Sequence, residues 1–173
     1  AGDNQSKIAD EIREAWKEAD LILTTGGVSV GEKDLLPGVI ENLTGNVLFH
    51  GIQVKPGMPT MLSVVKGTPV LSLSGNPFAV EALFEVLAGG YLTDVEASRY
   101  LQKNQMKILK QTFVKTGKMK RIVKGRCDES GVYLPQIQKN GQLKNGIGSN
   151  CLVIFPEGER TYAEGEAVRV IRI

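Results

Sequence analysis

The sequence predicts a three-layer α/β domain over residues 1–101, followed by a small antiparallel β-barrel over residues 102–173. Three observations carry this. Helical patterns alternate with short strand-like runs up to about Leu101, the order that lays helices onto a sheet. Beyond that point the chain turns into short β-rich runs separated by Gly, Asn and Pro turns, which close most simply as a small barrel. The charge also changes sign: residues 1–98 hold 6 Lys/Arg against 13 Asp/Glu, and residues 99–173 hold 15 against 6. Such a contrast marks a boundary near Arg99.

The elements follow in order. Residues 3–19 space Ile8, Ile12, Ala15, Trp16 and Ala19 three and four apart, as an amphipathic helix does. Residues 20–25 are a short apolar run ending in Gly26-Gly27, as a buried parallel strand does when it enters a ligand loop. Residues 35–43 read as a short helix, 47–54 and 61–65 as strands, and 69–73 as a second buried strand. Asn76 and Pro77 then open a helix, Asn being a preferred cap and Pro a preferred first residue. It continues through Leu83 and Leu87 to Gly89-Gly90. The later strands are expected at 106–115, 118–127, 132–138, 151–155 and 167–173. Because the first helix stands directly before a central strand, the strands that normally complete such a sheet have no counterpart, and a truncation ahead of Ala1 is expected.

Composition narrows the function classes. A chain of 173 residues, 42% hydrophobic and 23% charged, can bury a sizeable core. No apolar stretch approaches the roughly 18 residues that span a bilayer, and no basic-then-apolar leader is present; a cytoplasmic protein without a membrane partner is expected. Cys127 and Cys151 have no metal-ligand spacing and read as buried structural thiols. Between Arg99 and Arg126 lie ten basic residues and no acidic one. That stretch attracts anions, although a solvated strand face accounts for the same charges. It holds only Tyr100 and Phe113 as stacking aromatics, so nucleic acid is not the expected partner.

Four motifs carry chemistry. Thr24-Thr-Gly-Gly-Val-Ser-Val-Gly31 places Gly26, Gly27 and Gly31 after a buried strand, where backbone N–H groups can turn toward an anion without Cβ obstruction; a plain tight turn is the alternative. The same segment fits the GxSxG pattern of a hydrolase, with Ser29 as nucleophile, but Pro37 and Gly38 interrupt the helix that such an elbow needs. The lone His50 reads as a strand-end residue. Glu32 and Asp34 form a carboxylate pair that could hold Mg²⁺ beside loop-bound phosphates, or stand solvated. Lys55-Pro-Gly-Met-Pro59 presents a lysine on a stiffened loop, suited to clamping an anion; an exposed lysine beside a structural turn is the alternative. The Asn76-Pro77 helix start offers N–H groups and a positive dipole end to phosphate.

Thr25-Gly-Gly-Val-Ser-Val-Gly-Glu-Lys-Asp34, Val54-Lys-Pro-Gly-Met-Pro59 and Leu73-Ser-Gly-Asn-Pro77, in this order and spacing, resemble the MoeA and gephyrin E-domain family of molybdopterin molybdenumtransferases. The resemblance covers essentially the whole chain and implies a MogA/MoaB-like molybdopterin-binding domain, amino-terminally truncated, then the family's terminal β-barrel. It implies Mg²⁺-dependent insertion of molybdate into adenylylated molybdopterin with release of AMP, in a homodimer that works with other molybdenum cofactor synthesis proteins. Asp34 matches the family's functional aspartate and metal position, and Lys55 the lysine implicated in molybdate handling. The motifs place Gly26, Gly27, Ser29, Gly31, Gly57, Gly75, Asn76 and Pro77 around the pterin ligand. Lys124 falls where the family often has an arginine contacting molybdate; a lysine keeps the charge but loses the fork. Met58 stands where a lysine is common and Ser74 where a proline is usual. Lacking the family's amino-terminal domains, the chain alone is not expected to be a competent enzyme; the alternative is a non-catalytic molybdopterin-binding or scaffold module.

Overall fold

A computed structural model of the chain describes residues 4–29, 34–88, 104–135 and 148–173. Packing divides it into two units: Ala1–Ile52 with Gly57–Val80, and Gln53–Pro56 with Glu81–Ile173. The boundary expected at about residue 101 lies outside the described residues.

The first unit opens with α1 (Gln5–Ala15). Asn4 caps it, its side-chain oxygen accepting from Lys7 N at 3.1 Å. The expected end at Ala19 comes early. Lys17 N and Glu18 N donate to carbonyls three residues back, the tighter turn that commonly ends a helix. Then follow β1 (Ile22–Thr25), α2 (Leu36–Asn42), β2 (Asn46–His50), β3 (Val54–Lys55), β4 (Met61–Val65), β5 (Thr68–Leu73) and α3 (Pro77–Leu83), with β3 belonging to the second unit.

The first unit's sheet has the order β1-β5-β4-β2, with β1 parallel to β5 and the remaining pairs antiparallel. Strand β5 explains why residues 69–73 read as a continuous apolar run. Val70 belongs to a core with Ala9 and Ile12 of α1, Val39 and Ile40 of α2, and Ile22 of β1. Leu71 and Leu73, which alternate onto the opposite face, are 4% and 1% exposed. A strand buried on both faces has no polar side to show.

The single strand expected over 47–54 is two strands. Gly51, with φ 98°, redirects the chain after His50, and its N–H donates to Thr60 O at 2.8 Å. A left-handed φ of this kind suits glycine and almost no other residue. The helix expected to reach Gly89-Gly90 gives way after Leu83 to a π-helical stretch, Phe84–Ala88, and Gly89 and Gly90 lie outside the described residues.

The second unit adds β6 (Asn104–Ile108), β7 (Phe113–Lys115), β8 (Lys120–Cys127), β9 (Val132–Tyr133), β10 (Cys151–Phe155), β11 (Arg160–Tyr162) and β12 (Ala167–Arg172). The expected closed barrel is not formed by the described residues. One six-stranded sheet runs β3-β8-β10-β12-β6 with β9 pairing β8, and β11 pairs β7 apart from it. A barrel needs a ladder joining its edges; here a single bridge, Leu109 to Val132, links the segment after β6 to β9. Nor is the sheet wholly antiparallel, since β3 pairs β8 in parallel. Its core gathers Leu109, Val123, Cys127, Cys151, Val153, Phe155 and Val170. Phe155 stacks on Phe113 with ring centroids 4.5 Å apart. The run expected over 106–115 is broken between Leu109 and Gln111, which separates β6 from β7.

Lys115, counted in the basic stretch, is not available to an anion. It is 1% exposed, and its ammonium donates to Gly117 O at 2.8 Å and to Gly158 O. Buried and bonded to two carbonyls, it ties two turns together.

Candidate functional site

The loops that the motifs single out in the first unit leave the sheet side by side. Because β1 and β5 are parallel and in register from Ile22–Val70 to Thr25–Leu73, both strands end at the same edge. Gly26 N donates to Leu73 O at 2.9 Å, extending the ladder by one bond into the loop. A Cβ built on Gly75 would lie 3.5 Å from Gly26 Cα, so the two turns run close together and a side chain at 75 would touch Gly26. In open α/β sheets the carboxyl ends of parallel strands are where ligands bind.

Gly26 and Gly27 have φ of 81° and 64°, left-handed values that cost a side-chain-bearing residue about 1–2 kcal/mol. Space is not what excludes a side chain here. A Cβ on Gly26 would meet nothing within 4 Å, and one on Gly27 would meet Leu36 Cδ1 at 3.9 Å. The loop is fastened at two further points. Leu36 N donates to Gly27 O at 3.1 Å, and His50 Nε2 lies 2.7 Å from Val28 O. A carbonyl only accepts, so His50 donates through Nε2. His50 does end a strand, and it also anchors the glycine loop. Val28 itself is 1% exposed within the core.

Ser29 is exposed and Asp34 is half-buried, two residues before α2. Gly31 and Glu32 lie outside the described residues. Among the described residues no group of three or more His, Cys, Asp or Glu could hold a metal ion.

Asn76 caps its own helix. Its Oδ1 accepts from Phe78 N at 3.0 Å and Ala79 N at 3.2 Å, while Val80 N donates to Asn76 O and Pro77 has no N–H to offer. The expectation that this start presents free amides to phosphate is therefore corrected: the side chain has taken them. Gly57 is buried with φ 102°, and Thr60 Oγ1 donates to its carbonyl at 2.7 Å.

Three buried hydroxyls escaped the sequence reading. Thr24 Oγ1, Ser72 Oγ and Ser74 Oγ are enclosed and have no hydrogen-bond partner. The signal was present: polar residues interrupt the apolar runs one to three positions before their glycine turns.

In the second unit, Lys55 is exposed on β3, follows Val54 and precedes a cis peptide to Pro56. Parallel register places Lys55 beside Arg121 of β8. Lys124, also on β8, is ion-paired: its Nζ lies 2.5 Å from Glu81 Oε2. Lys118 and Lys120 are exposed. Among the described residues no helix is long and apolar enough to cross a membrane.

Comparison with known proteins agrees with the motifs. The chain is 28% identical over 98% of its length to molybdopterin molybdenumtransferase of Staphylococcus epidermidis and 30% identical over 96% to that of Bacillus subtilis, covering 42% of each. Two structures described as molybdopterin biosynthesis MoeA protein of Pyrococcus horikoshii share its fold, with TM-scores of 0.79 at 28% identity and 0.71 at 23%. The chain covers 41% of the first and 40% of the second, over 98% and 99% of its own length. It thus spans about two-fifths of the length of the curated relatives it matches. The family described as probable molybdopterin binding domain matches residues 1–94, more than half of the 173, and the chain belongs to that family.

Proposed function

We propose that the protein binds molybdopterin, in its adenylylated form, at the loops that follow β1 and β5, and serves insertion of molybdate with release of AMP in molybdenum cofactor synthesis. The observation that carries this reading is the adjacency of the two glycine turns at the ends of parallel strands, joined by the Gly26–Leu73 hydrogen bond. The Thr25–Asp34 loop supplies backbone amides to phosphate, and Gly75, Asn76 and Pro77 form the facing wall, with Asn76 shaping it rather than donating helix amides. Ser29 is exposed on the loop and can reach a ligand there. Lys55 and Gly57 belong to the segment that handles molybdate, with Arg121 beside Lys55.

Mg²⁺ suits this arrangement, because it ordinarily takes one or two carboxylates together with substrate phosphate oxygens and water. Asp34, half-buried at the end of the loop, and Glu32 are the residues that would hold it. The ion would screen the phosphoanhydride that is cleaved. The working form in this reading is a cytoplasmic homodimer that receives and passes on the pterin among cofactor synthesis proteins.

The second reading is a non-catalytic molybdopterin-binding or scaffold module. Supplying adenylylated molybdopterin, molybdate and Mg²⁺ separates the two. AMP release with molybdenum incorporation supports the transferase, and saturable binding without AMP release supports the module.

A further inference from the structure

We infer that His50 is a positioning residue of the ligand site: by donating to Val28 O it sets the direction of the Ser29 amide and fastens the glycine loop to the turn after β2. This rests on the molybdopterin-binding reading and adds to it a side chain that none of the motifs contains. Topology brings His50 to the site. Strand β2 is antiparallel to β4, β4 is antiparallel to β5, and β5 is parallel to β1, so β2 runs in the same direction as β1 and β5. His50 is its last residue and therefore stands at the carboxyl edge that carries the glycine turns, although it is 22 residues from Val28 in sequence.

Peptide planarity carries the effect from the ring to the amide. In a trans peptide the C=O and the N–H point in opposite directions. The Val28–Ser29 peptide is trans and its carbonyl faces His50 Nε2 at 2.7 Å, so the Ser29 N–H faces away from His50. The preceding peptide is held in the same way: Gly27 O accepts from Leu36 N at 3.1 Å, which turns the Val28 N–H away from Leu36. Among the described residues neither N–H has an acceptor. Successive N–H groups held in one arrangement make an anion-binding turn. His50 also joins two loops. Gly51 N donates to Thr60 O and Ile52 N to Met58 O, while Thr60 Oγ1 donates to Gly57 O; the His50–Val28 bond ties this braced turn to the glycine loop. Because His50 is exposed, its loss loosens the loop more than the core.

The test compares His50→Leu, which removes the donor, with His50→Gln, whose side-chain amide keeps a donor of similar reach. When the competent loop conformation is less populated, apparent affinity falls in proportion. Losing one hydrogen bond should therefore raise the Kd of adenylylated molybdopterin about five- to tenfold in His50→Leu, measured by calorimetry. His50→Gln should restore binding to within about twofold of wild type. Without ligand, His50→Leu should lower the melting temperature by no more than about 4 °C. Wild-type affinity in His50→Leu overturns the positioning role. So does a loss that His50→Gln shares in full, which would trace the effect to the packing of the ring. A larger fall in melting temperature makes His50 a residue of the fold and overturns the role as well. If wild type itself does not bind adenylylated molybdopterin, the molybdopterin reading fails and the positioning role with it.

Discussion

Lys124 Nζ lies 2.5 Å from Glu81 Oε2, with side-chain exposures of 18% and 41%, so Lys124 is held by a carboxylate of α3. A paired cation attracts a distant anion less than a bare one. Glu81→Gln should therefore remove the negative charge paired with Lys124 and tighten apparent molybdate affinity several-fold at low salt. Because Glu81 is partly exposed, lost stability should stay at about 1 kcal/mol or less. Denaturant unfolding and a molybdate titration measure both quantities, and unchanged affinity would remove Lys124 from the anion path.

The basic stretch shrinks as an electrostatic device once its members are placed. Lys115 is buried on carbonyls and Lys124 is paired, while Lys118 and Lys120 stand exposed. Replacing Lys118 and Lys120 by Gln should slow molybdate association several-fold at low salt. The difference should vanish toward 1 M, where the Debye length is about 3 Å. Stopped-flow rates across a salt series decide it; a salt-independent rate returns the stretch to a solvated strand face.

Gly27→Val should destabilise the fold by about 1–2 kcal/mol, because φ 64° is left-handed. Crowding is not the cause, since a Cβ there meets Leu36 only at 3.9 Å. Ligand affinity should fall as the loop relaxes. Thermal unfolding that matches wild type would contradict the strain argument.

Burial, and after it the neighbouring Cys127, push the Cys151 thiol up to about 12 from an ordinary 9.0. A raised pKa keeps the thiol protonated in the folded state longer than in the unfolded one. Its contribution is complete below about pH 9 and is lost as pH rises from there toward 12. Cys151→Ala should flatten the fall in stability between pH 9 and 11. Native protein should also resist thiol reagents at pH 8.

Much of the first unit was legible because its constraints are local. Strands β4 and β5 and the Asn76 cap follow from apolar runs bounded by turn residues, and parallel pairing follows from an apolar run entering Gly26-Gly27. What was missed depends on partners remote in sequence. The β2–β3 break needs the Gly51–Thr60 bond, and Lys124 needs Glu81, 43 residues away. Lys115 looks like any surface lysine until the carbonyls of Gly117 and Gly158 close over it. The Asn76 amides illustrate the opposite error: the cap was read correctly, but a capped amide cannot also be a free phosphate donor.

Asp34→Asn should leave thermal stability near wild type, since Asp34 is only half-buried, and should raise the Mg²⁺ concentration needed for AMP release several-fold. Turnover equal to wild type at limiting Mg²⁺ would take Asp34 out of the metal site.

Direct titration of adenylylated molybdopterin into the folded protein, alongside Gly27→Val, tests the central claim. Saturable one-to-one binding in wild type, weakened at least about tenfold in the variant, is the result expected from a ligand seated on the glycine turns. A folded wild-type protein that shows no saturable binding, or a variant that binds equally well, would contradict it.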